Sequence, residues 1–311
     1  MAGTTARPWW PAVVVPATLG GVLLAWVLAV DPVLIDTGIR SVADVAGAVL
    51  LGIGLLTLLA QHSRHVDTSR VWRIAAVTAG CWAVCEAALL VFGAARSGAV
   101  AATDMSLAMF ADYLQNIAGG RIGTAVVVVS VAMTILATTT VRLDLDISGI
   151  VVVVPTSIAL IVRPMTGHMS QQPAGALLVA LHVLAASIWL GLLLAMAVAL
   201  RTRTAWAELL PRYSTIALWC VVVVTITGVV DAAVRLGSLD ALTGTDYGRL
   251  VLAKTALVVL LVAAGGWQRR TWVREIGSHR TDAAVSIRRA VTETAAMAVA
   301  FGVAAALATT A

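Results

Sequence analysis

The chain has 311 residues, 60% of them hydrophobic and only 12% charged, with a mean hydropathy of +0.96. A water-soluble domain carries roughly twice that share of charge, so the composition excludes a soluble globular protein. The net charge of +5 points to lipid headgroups rather than nucleic acid, because the basic residues flank long apolar runs.

Nine runs approach the roughly 20 apolar residues that a membrane-crossing helix needs. They cover 11–30, 41–60, 72–93, 122–140, 147–163, 175–200, 214–236, 249–268 and 288–309. No ten-residue segments of alternating hydrophobicity occur, so a helical bundle is the solution that satisfies the backbone in hydrocarbon. The fold class expected is all-α, a polytopic membrane helical bundle of about nine transmembrane helices. The opening "MAGTTARPWWP" leads straight into a full-length run with no A-x-A site, so no cleavable signal is expected.

In chain order, the first three runs are joined by short loops. The long connection is 94–121, within which 104–117 reads as an amphipathic helix. Met105, Leu107, Met109, Phe110, Tyr113 and Leu114 are interspersed there with Asp104 and Asp112. Thr103 or Asp104 is the expected cap, and Gly119-Gly120 the expected end. Such a helix lies on the bilayer surface or lids the bundle. Pro155 and Pro164 bracket the fifth run. A division near residue 164 gives an N-terminal five-helix region, 1–163, and a C-terminal four-helix region, 164–311, richer in intramembrane polar groups.

Positive loops stay in the cytoplasm. With the N-terminus inside, the inner segments hold Arg7, Arg64, Arg70, Arg73, Arg142, Arg201, Arg203, Arg212, Arg269, Arg270, Arg274, Arg280, Arg288 and Arg289, which is 14 of the 21 Lys and Arg. The outer segments hold six, and Lys254 lies in a run. The bias predicts a cytoplasmic N-terminus and an outside C-terminus. Cys81, Cys85 and Cys220 all fall within runs, an odd number in hydrocarbon and no disulfide framework.

Charged groups within hydrocarbon cost several kcal/mol unless paired or wetted. Counting about 1.5 Å of rise per residue, His182 and Glu86 fall about 10 Å below the outer boundary, and Asp231 and Lys254 about 8 Å. Four ionisable residues from four helices thus share one level. One reading is a set of buried ion pairs, Lys254 with Asp231 and Glu86 with His182. The other is an outward-opening polar cavity that attracts a cation, and the two are compatible.

Above that level, "RPMTGHMSQQ" offers Met165, His168 and Met169 within five residues, and Met105 with Met109 forms a second pair at i, i+4. Thioethers favour Cu(I) over harder ions, although methionine is also ordinary apolar filler at an interface. His168 and His182 are about 20 Å apart if helical throughout, successive stations rather than one site. Cys81 and Cys85 stack at i, i+4, as soft ligands or as small hydrophobes. His62 and His65 read as loop residues. Haem is not expected, because bis-His ligation needs a second intramembrane histidine besides His182, and His-Met ligation would use Met196 or Met297 at the wrong depth. No G-x-S-x-G, H-E-x-x-H or P-loop is present, so a transporter is expected rather than an enzyme.

Between about 165 and 275 the sequence resembles the CopD family of bacterial copper-resistance membrane proteins. The resemblance is carried by "GHMS", "LHVLAASIWLGLLL", "RYSTIALWCVVVVTITGVVDAAVRLGS" and "TDYGRLVLAKTALVVLLVAAGGWQRR". It implies a multi-pass protein of the bacterial inner membrane that handles copper from the outer side. His168 falls on the family's Gly-His element, His182 on its span-six histidine and Lys254 on its span-eight lysine. The resulting expectation is Cu(I) captured by Met165, His168 and Met169, with Met105 and Met109 assisting. His182 then passes the ion inward, with Glu86 and Asp231 giving negative field and Lys254 balancing it. The partners expected are the lipid bilayer and a periplasmic copper-binding protein, with no nucleic acid. The rival expectations are a membrane haem or redox protein and a non-transporting copper presenter.

Overall fold

The second apolar run forms helix α1, Ile35–Leu59, and Asp67 then opens helix α2, Thr68–Ser97, by accepting a hydrogen bond from the Arg70 amide at 3.1 Å. The structure, a computed structural model, describes residues 35–61, 63–164, 174–236 and parts of 240–263. The rest of the described chain forms α3 (Leu107–Asn116), α4 (Ala118–Leu143), α5 (Ile150–Val162), α6 (Gly175–Ala199) and α7 (Arg203–Leu236). A single 3-10 turn, Ala102–Asp104, precedes α3.

Five of these helices, α1, α2, α4, α6 and α7, are long and apolar enough to cross a membrane. The fifth predicted run, 147–163, is helical only over 13 residues, about 20 Å against a hydrocarbon thickness of about 30 Å. At its start Gly149 packs on the Gly54 carbonyl and the Thr57 hydroxyl, within the last two turns of α1. The predicted runs 11–30 and 288–309 lie outside the described residues, and 249–268 is described only at isolated positions.

Lipid tails are as apolar as leucine, so helices in a membrane associate through close backbone approach and van der Waals packing. α1 and α6 do this at Ala48, Gly52 and Gly191, where a Cβ on either glycine would collide with the facing backbone. Having no side chain at Gly191 is what permits this close approach. Around this contact lie Leu50, Leu51 and Leu56 of α1, Trp82 of α2, Leu192, Leu193 and Met196 of α6, and Trp206 and Leu209 of α7, all buried. Gly47 makes room for the Trp82 indole. One core thus runs across position 164 without a break.

α7 begins well before the predicted 214. Thr202 accepts from the Ala205 amide at 3.3 Å, and Trp206, Leu209, Leu210 and Tyr213 bury one face of the added turns, an i, i+3, i+4, i+7 stripe. Leu218, Val222, Ile226 and Val229 form an exposed stripe farther along, as a lipid-facing surface requires.

The amphipathic helix is shorter than the expected 104–117, and its boundaries have other causes. Ser106 caps it, accepting from the Met109 amide at 3.2 Å, whereas Thr103 turns to the Asp104 carboxylate. Extended backbone at Ile117 ends it. Gly119 and Gly120 belong to α4, where Gly120 lets the Tyr113 carbonyl pack directly on the backbone. Tyr113 wedges between Gly93 of α2 and Gly119, so α3 rests on the adjoining ends of α2 and α4.

Candidate functional site

The described helices alternate in direction and expose two ends of different character. At one end, arginines meet main-chain carbonyls. Arg212 donates to the Leu59 carbonyl at 2.8 Å and Arg70 to the Val198 carbonyl at 3.3 Å, so cations satisfy the C-termini of α1 and α6. Ser63 donates to Glu208 at 2.7 Å. Partial burial and the neighbouring Arg70 push the Arg201 guanidinium down from its ordinary value, a sign of crowded positive charge.

At the other end, arginines meet carboxylates. Arg96 pairs with the buried Asp36, joining the end of α2 to the start of α1. Arg163, just past α5, reaches back to Glu86 of α2 at 2.9 Å. Arg40 of α1 approaches the second Glu86 oxygen at 4.0 Å. Gly123 of α4 leaves space for the Arg163 guanidinium, 3.3 Å from where its Cβ would stand. Glu86 is only 4% exposed, and Asp44 on α1 lies within electrostatic range of both arginines and of Glu86. This network ties α1, α2 and the end of α5 together. Arg40 and Arg163 stand at the edges of the predicted runs 41–60 and 147–163, and nothing in their local pattern shows that they fold back onto Glu86.

His182 belongs to a different pair of helices. Its Nδ1 lies 2.8 Å from the Thr227 hydroxyl on α7. Thr227 is buried and its hydroxyl also donates to the Val223 carbonyl at 2.6 Å, with the Val224 carbonyl at 3.3 Å. Gly228 brings the α7 backbone against the ring, its Cβ position 3.5 Å from His182 Cε1. Asp231 follows Thr227 by one turn and is half-buried. From Trp189 to Ala197 α6 is buried all round, but Leu177 and Leu181 are exposed. His182 therefore occupies the half of α6 that the described helices enclose least.

The structure thus distributes the four ionisable residues. His182 and Asp231 lie on the α6–α7 pair, Glu86 is held by arginines on the α1–α2–α5 side, and Lys254 lies outside the described residues. Met165, His168 and Met169 also lie outside them, between Pro164 and Ala174. Met105 and Met109 flank the start of α3, with the Met109 methyl lying over Gly98. Cys81 and Cys85 stand one turn apart on α2, Cys81 exposed and Cys85 half-buried. His65 is exposed in the α1–α2 loop, and His62 lies outside the described residues. Among the described residues, no three His, Cys, Asp or Glu side chains converge as a metal site.

The α7 segment that carries Thr227, Gly228 and Asp231 also falls within a likeness to known proteins. Residues 207–307 match the family model of copper resistance protein D. The CopD match begins inside α7 and includes Lys254, whereas His182 precedes it, so the likeness falls later than the 165–275 read from the motifs. The chain is also 31% identical over 116 residues to the copper transport protein CutJ of Bacillus subtilis (strain 168). That alignment covers 34% of this chain and 21% of the relative, so the chain spans about a fifth of the curated relative it matches. No solved structure matches.

Proposed function

We propose that this protein handles copper at the bacterial inner membrane, taking Cu(I) from the outer side and passing it inward past His182. The observation that carries the reading is the His182–Thr227 pair, an imidazole held within two apolar helices, one of which lies largely within the CopD match. Ionisable groups persist in such places where they serve a pathway or a ligand. CutJ, by its printed name a copper transport protein, supports the choice of ion.

In this reading the end rich in exposed Arg64, Arg73, Arg142 and Arg212 faces the cytoplasm, since basic loops are retained there. The opposite end, where Asp36 and Glu86 neutralise Arg96 and Arg163, faces outward. Met165, His168 and Met169 then form the entrance, with Met105 and Met109 beside it on the same side, because thioether and imidazole suit Cu(I) where thiols would oxidise. A periplasmic copper-binding protein would supply the ion. Asp231 and Lys254 set the charge near His182. Glu86, already balanced by its arginines, holds the helices that frame the route.

No sequence motif supplies ATP hydrolysis, so movement is passive, ion-coupled or driven by a partner. Metal analysis of the purified protein tests the entrance. Copper should co-purify with the wild type and fall by more than half in His168→Ala/Met169→Ala. Equal copper in both would place the entrance elsewhere, and a Soret band in the same sample would favour a haem protein.

A further inference from the structure

We infer that Thr227 fixes the protonation of His182, holding the proton on Nδ1 so that Nε2 is the ring nitrogen that exchanges protons or metal. The identity of the metal rests on the copper reading above; the assignment of the nitrogens does not.

A threonine hydroxyl has one hydrogen to give. That of Thr227 is directed to the Val223 carbonyl at 2.6 Å and shared with the Val224 carbonyl at 3.3 Å, the i−4 bond that buried hydroxyls make in apolar helices. Its oxygen therefore meets His182 Nδ1 at 2.8 Å with a lone pair, and two lone pairs do not bond. Nδ1 must carry a proton, whether the ring is neutral or doubly protonated. Any change in ligation then takes place at Nε2. Cu(I) binding there forms one Nε2–Cu bond, releases a proton if Nε2 held one, and leaves the oxidation state unchanged. Ring nitrogens of metal ligands are commonly fixed this way from the far side, and such partners matter tenfold to a hundredfold in affinity. The α7 backbone at Gly228 supports the ring edge, so the two helices set both tilt and tautomer. Thr227 is a positioning residue.

Nitrogen-15 NMR of the full-length protein in detergent, labelled at its five histidines, reads the tautomer directly. Spectra are recorded over a pH series up to about pH 8.5 so that the neutral ring is the form read, and His182→Gln assigns the signal. The wild type should show a protonated Nδ1 and an unprotonated Nε2. Thr227→Val, isosteric but without the hydroxyl, should shift His182 toward the Nε2–H form, and Thr227→Ser should restore the wild-type pattern. In titrations of Cu(I) against a chromogenic chelator, Thr227→Val should bind at least about tenfold more weakly, with Thr227→Ser close to wild type. A wild-type His182 protonated on Nε2 alone, or a Thr227→Val protein unchanged in both tautomer and affinity, overturns the inference. If His182→Gln binds Cu(I) as tightly as wild type while the wild-type tautomer is as stated, the copper role of His182 fails and the nitrogen assignment stands.

Discussion

Glu86 shows how one side chain can change meaning between sequence and structure. As a lone carboxylate within an apolar run it suggests a field for a passing cation, yet Arg163 at 2.9 Å and Arg40 at 4.0 Å hold it in place. Removing one member of a buried ion pair leaves the other uncompensated and costs about 3–5 kcal/mol. Arg163 is 29% exposed on its side chain, so the low end of that range applies. Glu86→Gln should therefore lower the thermal midpoint in detergent, and Arg163→Gln added to it should cost little more. Independent, additive losses from the two substitutions would show that the pair does not act as a unit. The depth of Glu86 is legible from its position in the run. Its partner is not, because Arg163 is 77 residues away in sequence and stands at the very end of an apolar run. His182 is legible as an intramembrane histidine for the same reason of depth. Thr227, an unremarkable hydroxyl in an apolar helix, carries no local signal of its role.

At the scale of the element, the apolar runs give the helices their positions, while their ends depend on contacts that no window of sequence contains. Gly191 permits the backbone of α6 to touch that of α1 at Ala48. Gly191→Ala drives a methyl group into the Ala48 carbonyl and should destabilise the protein by about 1–3 kcal/mol, as overpacking does. A thermal midpoint equal to wild type would mean that the two helices have room to separate. The cap of α3 is a gentler test. Ser106→Ala removes the acceptor for the Met109 amide, which should cost α3 about 1 kcal/mol. Hydrogen exchange at Met109 should then accelerate several-fold, and unchanged exchange would show that packing of Tyr113 alone holds the helix. Periodicity finds α3, but the choice among Thr103, Asp104 and Ser106 as cap depends on where the chain turns. The short α5 is a similar case: the run 147–163 is apolar enough for a full span, yet its helix begins where Gly149 meets Gly54.

At the scale of the whole molecule, two groups of ionisable side chains stand apart among the described residues. One, on α1, α2 and the end of α5, is internally balanced and joins helices. The other, on α6 and α7, presents His182 anchored to Thr227, beside Asp231 and against the region that matches copper resistance protein D. A membrane bundle gains little from the hydrophobic effect between its helices, so balanced ion pairs and glycine contacts are natural means of holding it, while in the proposed function the His182 imidazole serves the passing ion. Copper uptake into proteoliposomes containing the full-length protein tests that division most directly. With Cu(I) supplied outside, wild type and Glu86→Gln vesicles of matched protein content should both accumulate copper, and His182→Gln vesicles should fall to the level of empty ones. Accumulation that survives loss of His182 would contradict the account.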